Sequence, residues 1–214
     1  MDTHILLIAP SFDEITIKMS SWLKEIYKKY DSQTEALFDN AASTINVMDY
    51  IIKKNMEDII IIYYGHGIEK GFVTEERLGC EYVKADFKCS LLCDVRHFVS
   101  CQKISILSYC CWAAREFGVK IRALCVVNKF IGYKKILPYY FTNEVREAAF
   151  KVPMKEVVED IIKKRKIGID ELIKLLNIYS IEYEKWSNNY YDDEKYLIVA
   201  MFLGYHIKYL EKTI

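Results

Sequence analysis

Apolar and polar positions along this chain alternate between short continuous apolar runs and longer segments of helical period. Ile5 to Ala9 is a short apolar run that predicts a strand, and Pro10-Ser11-Phe12-Asp13 is a loop leading into an amphipathic helix through about Tyr30. Glu35 to Phe38 predicts a short strand. Ser43 can cap a helix through Lys54, with Ile45, Met48, Ile51 and Ile52 facing the core. Asp58 to Tyr64 contains the isoleucine run Ile59 to Ile62, and continuous apolar character without alternation predicts a strand buried on both faces of a parallel sheet.

Gly71 to Cys80 carries turn residues and reads as a hairpin or irregular excursion, followed by a helix over Asp86 to Val99. Lys103 to Ser108 predicts the next strand, Trp112 to Phe117 a short helix closed by Gly118, and Ile121 to Val127 another strand. Segments Tyr139 to Phe150, Met154 to Arg165 and Asp170 to Lys185 read as helices. Lys195 to Leu210 is too uniformly apolar for its period to decide, and is taken as a helix turning into an edge strand. Alternation of strand and helix implies right-handed crossovers, hence an α/β fold: a three-layer α/β/α sandwich with a mostly parallel sheet.

Composition narrows the setting. With 214 residues and 52% hydrophobic content, the chain fits a single domain over 1–214 with one large core. Thirty basic and thirty acidic side chains cancel, which removes the global electrostatic reason to expect nucleic acid or an anionic membrane as the main partner. Met1-Asp2-Thr3-His4 has no basic region of the signal-peptide kind, and no apolar run reaches the roughly 18 residues of a spanning helix. A cytoplasmic location is expected. Seven cysteines form an odd set, and a reducing compartment would keep them as thiols.

Two of the buried strands end in residues that carry chemistry. The isoleucine run breaks at Tyr63-Tyr64-Gly65-His66-Gly67, and the run Ile104 to Leu107 breaks at Ser108-Tyr109-Cys110-Cys111. Parallel sheets place their chemistry beyond the carboxyl ends of the strands, and a thiol beside an imidazole suffices for nucleophilic acyl transfer. Each motif alone has a plainer reading: His66 as a strand cap bonded to a nearby carbonyl, and a cysteine packed as a small hydrophobe. A short helix starting near Trp112 would place its N-terminus beside the thiol, where a thiolate is stabilised.

These residues resemble the caspase-like cysteine peptidases, among them caspases, metacaspases, gingipains, separases and the CHAT-domain proteases. The resemblance lies in Ile-Ile-Tyr-Tyr-Gly-His-Gly, in Ile-Leu-Ser-Tyr-Cys, and in Val-Val-Asn-Lys-Phe-Ile-Gly-Tyr from Val126 to Tyr133, in that order, and covers roughly residues 1 to 165 and, more weakly, Ala200 to Leu210, which resembles the last helix and strand of such domains. It implies a caspase-like fold, closest to the CHAT type. It also implies a cysteine endopeptidase in which Cys110 is the nucleophile, His66 protonates the leaving amine, and the Gly67 and Cys110 amides form the oxyanion hole. A metacaspase-like alignment would make Cys111 the nucleophile; the apolar run before Ser108 puts Cys110 ahead. The glycine that usually follows the nucleophile is missing from Cys111-Trp112-Ala113, and Tyr109 stands where alanine is commoner.

By the same resemblance the primary substrate pocket draws on the loop Pro10 to Asp13 and on Ser108. Asp13 there would suit a basic substrate residue, or it caps the first helix, which is the favoured reading. No metal or organic cofactor is expected. Cys89, Cys93 and His97, with Cys101 following, stack along one face of the expected helix, where a buried face is favoured over a structural zinc. Lys163-Lys164-Arg165-Lys166 reads as a solvated helix end with an acidic partner as the sharper alternative, and the tyrosines dense from Tyr179 to Tyr196 as packing or an interaction surface. The expected function is cleavage of a protein substrate in signalling or defence, with activation by a protein partner, self-association or self-cleavage. The rivals are a catalytically silent interaction module of the same fold and a flavodoxin-like phosphate binder, for which no glycine-rich phosphate loop is found.

Overall fold

The computed structural model describes residues 3–54, 58–68, 71–73, 90–91, 104–111, 114–115, 118–119, 127–135, 144–188 and 194–213. Strand β1, Thr3–Ala9, leads into helix α1, Glu14–Tyr30. A reciprocal capping box starts this helix: Thr16 N–H donates to Asp13 Oδ1 at 2.8 Å, and Asp13 N–H donates to Thr16 Oγ1 at 3.0 Å. Lys28 and Lys29 in the last turn complement its dipole. Met19, Trp22, Leu23 and Ile26, at helical spacing, are buried.

Strand β2, Glu35–Phe38, is followed by a 3₁₀ turn, Asp39–Ala41, and by α2, Thr44–Lys53, whose first turn is capped by Ser43 Oγ accepting from Asn46 N–H. On α2 Ile51 is buried as expected, but Ile45 and Ile52 are 72% and 61% exposed and Val47 is buried in their place, while the Met48 side chain lies outside the described residues. Val47 and Ile51 lie one turn apart and form the stripe that meets the sheet; apolar character alone did not distinguish the two faces.

Strand β3, Asp58–Tyr64, ends at the Gly-His-Gly turn, beyond which β4 (Gly67–Ile68), β5 (Gly71–Val73) and β6 (Ser90–Leu91) form a small antiparallel sheet. Ser90 and Leu91 pair with Val73 and Phe72, so at those two residues of the helix expected over Asp86 to Val99 the structure is strand, and the others lie outside the described residues. A ladder formed with a distant hairpin overrides local helical preference there. Cys89, Cys93, His97 and Cys101 lie outside the described residues.

Strand β7, Ile104–Tyr109, and strand β8, Val127–Tyr133, complete the parallel core; β8 begins where the expected strand Ile121 to Val127 was to end. Ala114 and Arg115 form a turn and Gly118 and Val119 are helical, so Gly118 does not close a helix as expected. Helix α3, Glu144–Lys164, runs through Pro153, so the two helices expected on either side of it are one. Proline removes a helical hydrogen bond and crowds the preceding turn. Burial of Ala149, Phe150, Met154, Val157, Val158 and Ile161 on the same helix offsets that cost. Helix α4, Ile169–Asn188, and helix α5, Glu194–Tyr209, follow, and α5 turns directly into edge strand β9, Leu210–Thr213.

The main sheet has the order β2-β1-β3-β7-β8-β9, with five parallel strands and β9 antiparallel to β8. One face packs against α1, α3, α4 and α5, burying Ile60, Ile62, Tyr64, Leu107 and Tyr109; the other packs against α2 and Phe72 of β5, burying Ile59, Ile61, Tyr63, Ile106 and Cys110. The α/β sandwich is therefore as expected. Among the described residues no helix is long and apolar enough to cross a membrane. The basic run is exposed: Lys164 pairs with Asp160 at 2.6 Å, and the Arg165 guanidinium donates to the carbonyls of Thr3 and Gln33, tying the end of α3 to the start of β1.

Candidate active site

Connectivity locates a crevice before any side chain is considered. From β1 the chain moves outward to β2, then returns across β1 to place β3 on its other side. This reversal makes the carboxyl ends of β1 and β3 a topological switch point, where the loops part and ligands of open α/β sheets bind. Asp13 follows β1 and His66 follows β3.

The two side chains meet: His66 Nε2 and Asp13 Oδ2 are 2.5 Å apart, a short charge-assisted contact, with the side chains 35% and 41% exposed. The other Asp13 oxygen, Oδ1, accepts from the N–H and the hydroxyl of Thr16 at 2.8 Å each. Burial pushes the Asp13 carboxyl up, but the bonds from Thr16 and the charge and hydrogen bond of His66 outweigh it and hold the carboxyl below its ordinary value. The helix-cap reading of Asp13 is thus borne out, and its second oxygen faces His66.

His66 is held from behind as well. The Tyr63 hydroxyl donates to the His66 carbonyl at 2.8 Å, while the Tyr63 ring stacks on Phe72 at 4.2 Å between centroids. Phe12 flanks the imidazole at 5.7 Å. The Gly-His-Gly step therefore forms a turn anchored at its base by β3 and β5 and at its tip by α1.

The thiol side is built differently. In register, Tyr64 lies opposite Tyr109, and Gly65 N–H donates to the Tyr109 carbonyl at 3.4 Å, so the ladder brings the turn alongside Cys110 and Cys111. Gly67 lies directly over the thiol: a Cβ at this position would collide with Cys110 Sγ and with the Cys111 carbonyl oxygen. Only glycine permits that approach. Cys110 is 1% exposed, and its Sγ lies 3.0 Å from Ser108 Oγ, itself fully buried. Ser108 was expected to line a substrate pocket; in this state it sits beside the sulfur beneath the surface.

Just past the end of β7, the two cysteines pack against opposite faces of the sheet. Cys110 packs with Ile106, Tyr63 and Phe130 on the α2 side, whereas Cys111 is partly exposed and packs against the core on the α1 side. Of the short helix expected beside the thiol, Ala114 and Arg115 form a turn, and its start at Trp112 lies outside the described residues.

Beneath Tyr109 lies a buried polar group that sequence reasoning missed. His206 of α5, fully buried, places Nδ1 3.1 Å from the Tyr109 hydroxyl, with the rings of Tyr133, Phe150 and Tyr179 around it. The Tyr133 hydroxyl donates to that of Tyr179 at 3.4 Å. Burial, and after it the neighbouring Cys110, pushes the Tyr133 phenol well above its ordinary value, so it stays neutral. No spacing in the sequence links His206 to Tyr109, which lie 97 residues apart.

Among the described residues no group of three His, Cys, Asp or Glu side chains is arranged to hold a metal ion. Asp13, His66, Gly67, Ser108 and Cys110 thus occupy the carboxyl ends of three adjacent strands, β1, β3 and β7, joined by the Asp13–His66 contact on one side and the Gly67–Cys110–Ser108 contact on the other. Compared with known proteins, the chain matches no family model, no curated protein and no solved structure.

Proposed function

We propose that this protein is a cysteine endopeptidase of the caspase-like, CHAT-related type, acting on a protein substrate through His66 and Cys110 without metal or organic cofactor. The observation that carries this reading is the seating of the His66-Gly67 turn directly over the Cys110 sulfur. An imidazole, a thiol and two backbone amides at neighbouring strand ends are the parts that acyl transfer needs.

In the proposed reaction Cys110 gives its proton to His66 and the thiolate attacks a peptide carbonyl, forming a C–S bond. The carbonyl electron pair moves onto oxygen, which the Gly67 and Cys110 amides receive. Each well-placed donor in such a hole is worth about 3 kcal/mol of barrier. His66 then protonates the leaving amine as the C–N bond breaks, and water releases the acyl group and regenerates the thiol.

Burial of Cys110 makes the described arrangement a closed one. A substrate or an activating partner, a second copy included, must lift the Gly67 turn before the sulfur is reached, in keeping with a role in signalling or defence within the cytoplasm. The same burial supports the second reading, a catalytically silent module that binds a partner at these strand ends.

An electrophilic peptide probe separates the two. Labelling that disappears in Cys110→Ala supports the peptidase. Labelling that survives there but disappears in Cys111→Ala moves the nucleophile to the partly exposed neighbour, and no labelling of either thiol leaves the binding module.

A further inference from the structure

We infer that Asp13 is a positioning residue for His66, fixing the imidazole so that its Nε2 faces the carboxylate and its Nδ1 is the nitrogen that exchanges a proton with the thiol. This deepens the proposed peptidase reading and rests on it for the role of the thiol, but not for the contact itself.

Three observations carry it. The first is the contact, His66 Nε2 to Asp13 Oδ2 at 2.5 Å, between residues 53 positions apart that meet only because β1 and β3 are neighbours. The second is that the carboxylate is pinned before it meets the histidine: Thr16 donates to Oδ1 from both its backbone and its hydroxyl, which sets the rotation of the group and presents Oδ2 outward. The third is that both residues sit at the switch point of the sheet, while the neighbouring strand end carries the cysteine.

The chemistry follows from the two ring nitrogens. A neutral imidazole carries one proton, and an ionised carboxylate on Nε2 can only accept it. Asp13 remains ionised at neutral pH, at the N-terminus of a 17-residue helix and bonded by Thr16. The Nε2–H tautomer is therefore selected, and Nδ1 is left with its lone pair toward whatever group must give up a proton. When Nδ1 takes the thiol proton, the ring becomes a cation beside a fixed anion, an arrangement in which the carboxylate orients the imidazole and is not itself protonated. The capping box thus gives the carboxylate a rigid mount on the scaffold, so that neither loop has to order the other.

The test uses the full chain labelled with ¹⁵N-histidine, whose four imidazoles are few enough to assign, His66 by its loss in His66→Gln. Asp13→Asn retains an oxygen that can cap α1 but offers an amide, a donor, to Nε2. Ser43→Ala is the control, removing the cap of α2 away from the Asp13–His66 contact. The expected result is a wild-type His66 with the Nε2–H signature at neutral pH, kept in Ser43→Ala and changed to the Nδ1–H signature in Asp13→Asn. Labelling of the thiol by the peptide probe should slow on the order of 100-fold or more in Asp13→Asn, with a flattened pH profile, and little in Ser43→Ala.

A His66 signature identical in wild type and Asp13→Asn overturns the inference and leaves Asp13 as a helix cap. So does a changed signature with an unchanged labelling rate. If the wild-type thiol is never labelled, the peptidase reading fails on its own, and the tautomer alone decides whether Asp13 positions His66.

Discussion

The two halves of the candidate site are built on opposite principles. On the histidine side, Asp13, His66 and Phe12 are partly exposed and joined by a short polar contact anchored to a helix cap. On the cysteine side, Cys110 and Ser108 are buried, packed on apolar neighbours, and covered by the Gly67 backbone. The difference teaches which half is reachable as it stands. The His66 side chain is partly exposed and held by Asp13, whereas the Cys110 sulfur is reached only when the chain above it moves. Under the proposed peptidase reading, whatever switches the site on would act on the Gly67 turn.

The contrast breaks most sharply at Gly67. Gly67→Ala forces a Cβ into the Cys110 sulfur, so it should cost about 2–3 kcal/mol, read as a fall of about 5–10 °C in the thermal midpoint. Reaction of Cys110 with iodoacetamide should rise at the same time as the turn is displaced. An unchanged midpoint together with an unchanged Cys110 reactivity would show that the turn already stands clear of the thiol.

In the unmodified chain, iodoacetamide should reach partly exposed Cys111 at least about 10-fold faster than buried Cys110, since the thiolate must be accessible to react. Peptide mapping by mass spectrometry reads the order directly. Faster modification of Cys110 would erase the distinction between an open and a closed half.

On the histidine side the expected effects are smaller. Tyr63→Phe removes the hydroxyl that holds the His66 carbonyl and should cost about 1 kcal/mol in denaturant unfolding. Asp13→Ala removes the cap of α1 and should cost about 1 kcal/mol, with Asp13→Asn retaining most of it. Equal losses in the two Asp13 variants would mean that charge, not capping, is what the position supplies.

The least effect is that of pH. Because the folded Asp13 carboxyl lies below its ordinary value of 3.8, the stability it contributes is complete above that value and is lost as pH falls through the folded value. The stability difference between wild type and Asp13→Asn should therefore be constant from neutral pH down to about 4 and shrink below it. A difference that instead grows under acid would reverse the sign of the Asp13 contribution.

Much of the fold was legible because its signals are local. Ile59 to Ile62 could not have been a half-exposed strand, Ile104 to Leu107 is mostly apolar, and Asp13 announced the start of α1 as an N-cap residue ahead of the helical pattern. The failures have equally specific causes. Ile45 and Ile52 are apolar yet exposed, because the sheet meets α2 along Val47 and Ile51. Ser90 and Leu91 form a strand because β5 supplies a partner. Pro153 lies within a helix whose core contacts outweigh its local penalty.

The sequence by itself determined that buried strands end in His66-Gly67 and in Cys110-Cys111, since hydrophobic runs and the residues that stop them are properties of neighbours along the chain. Tertiary structure alone decided that Asp13 meets His66, that Gly67 covers Cys110, that Cys110 and Cys111 face opposite sides of the sheet, and that His206 stands under Tyr109. Those outcomes depend on which strands become neighbours and in what register, and no local pattern of residues encodes an adjacency that only the packed sheet creates.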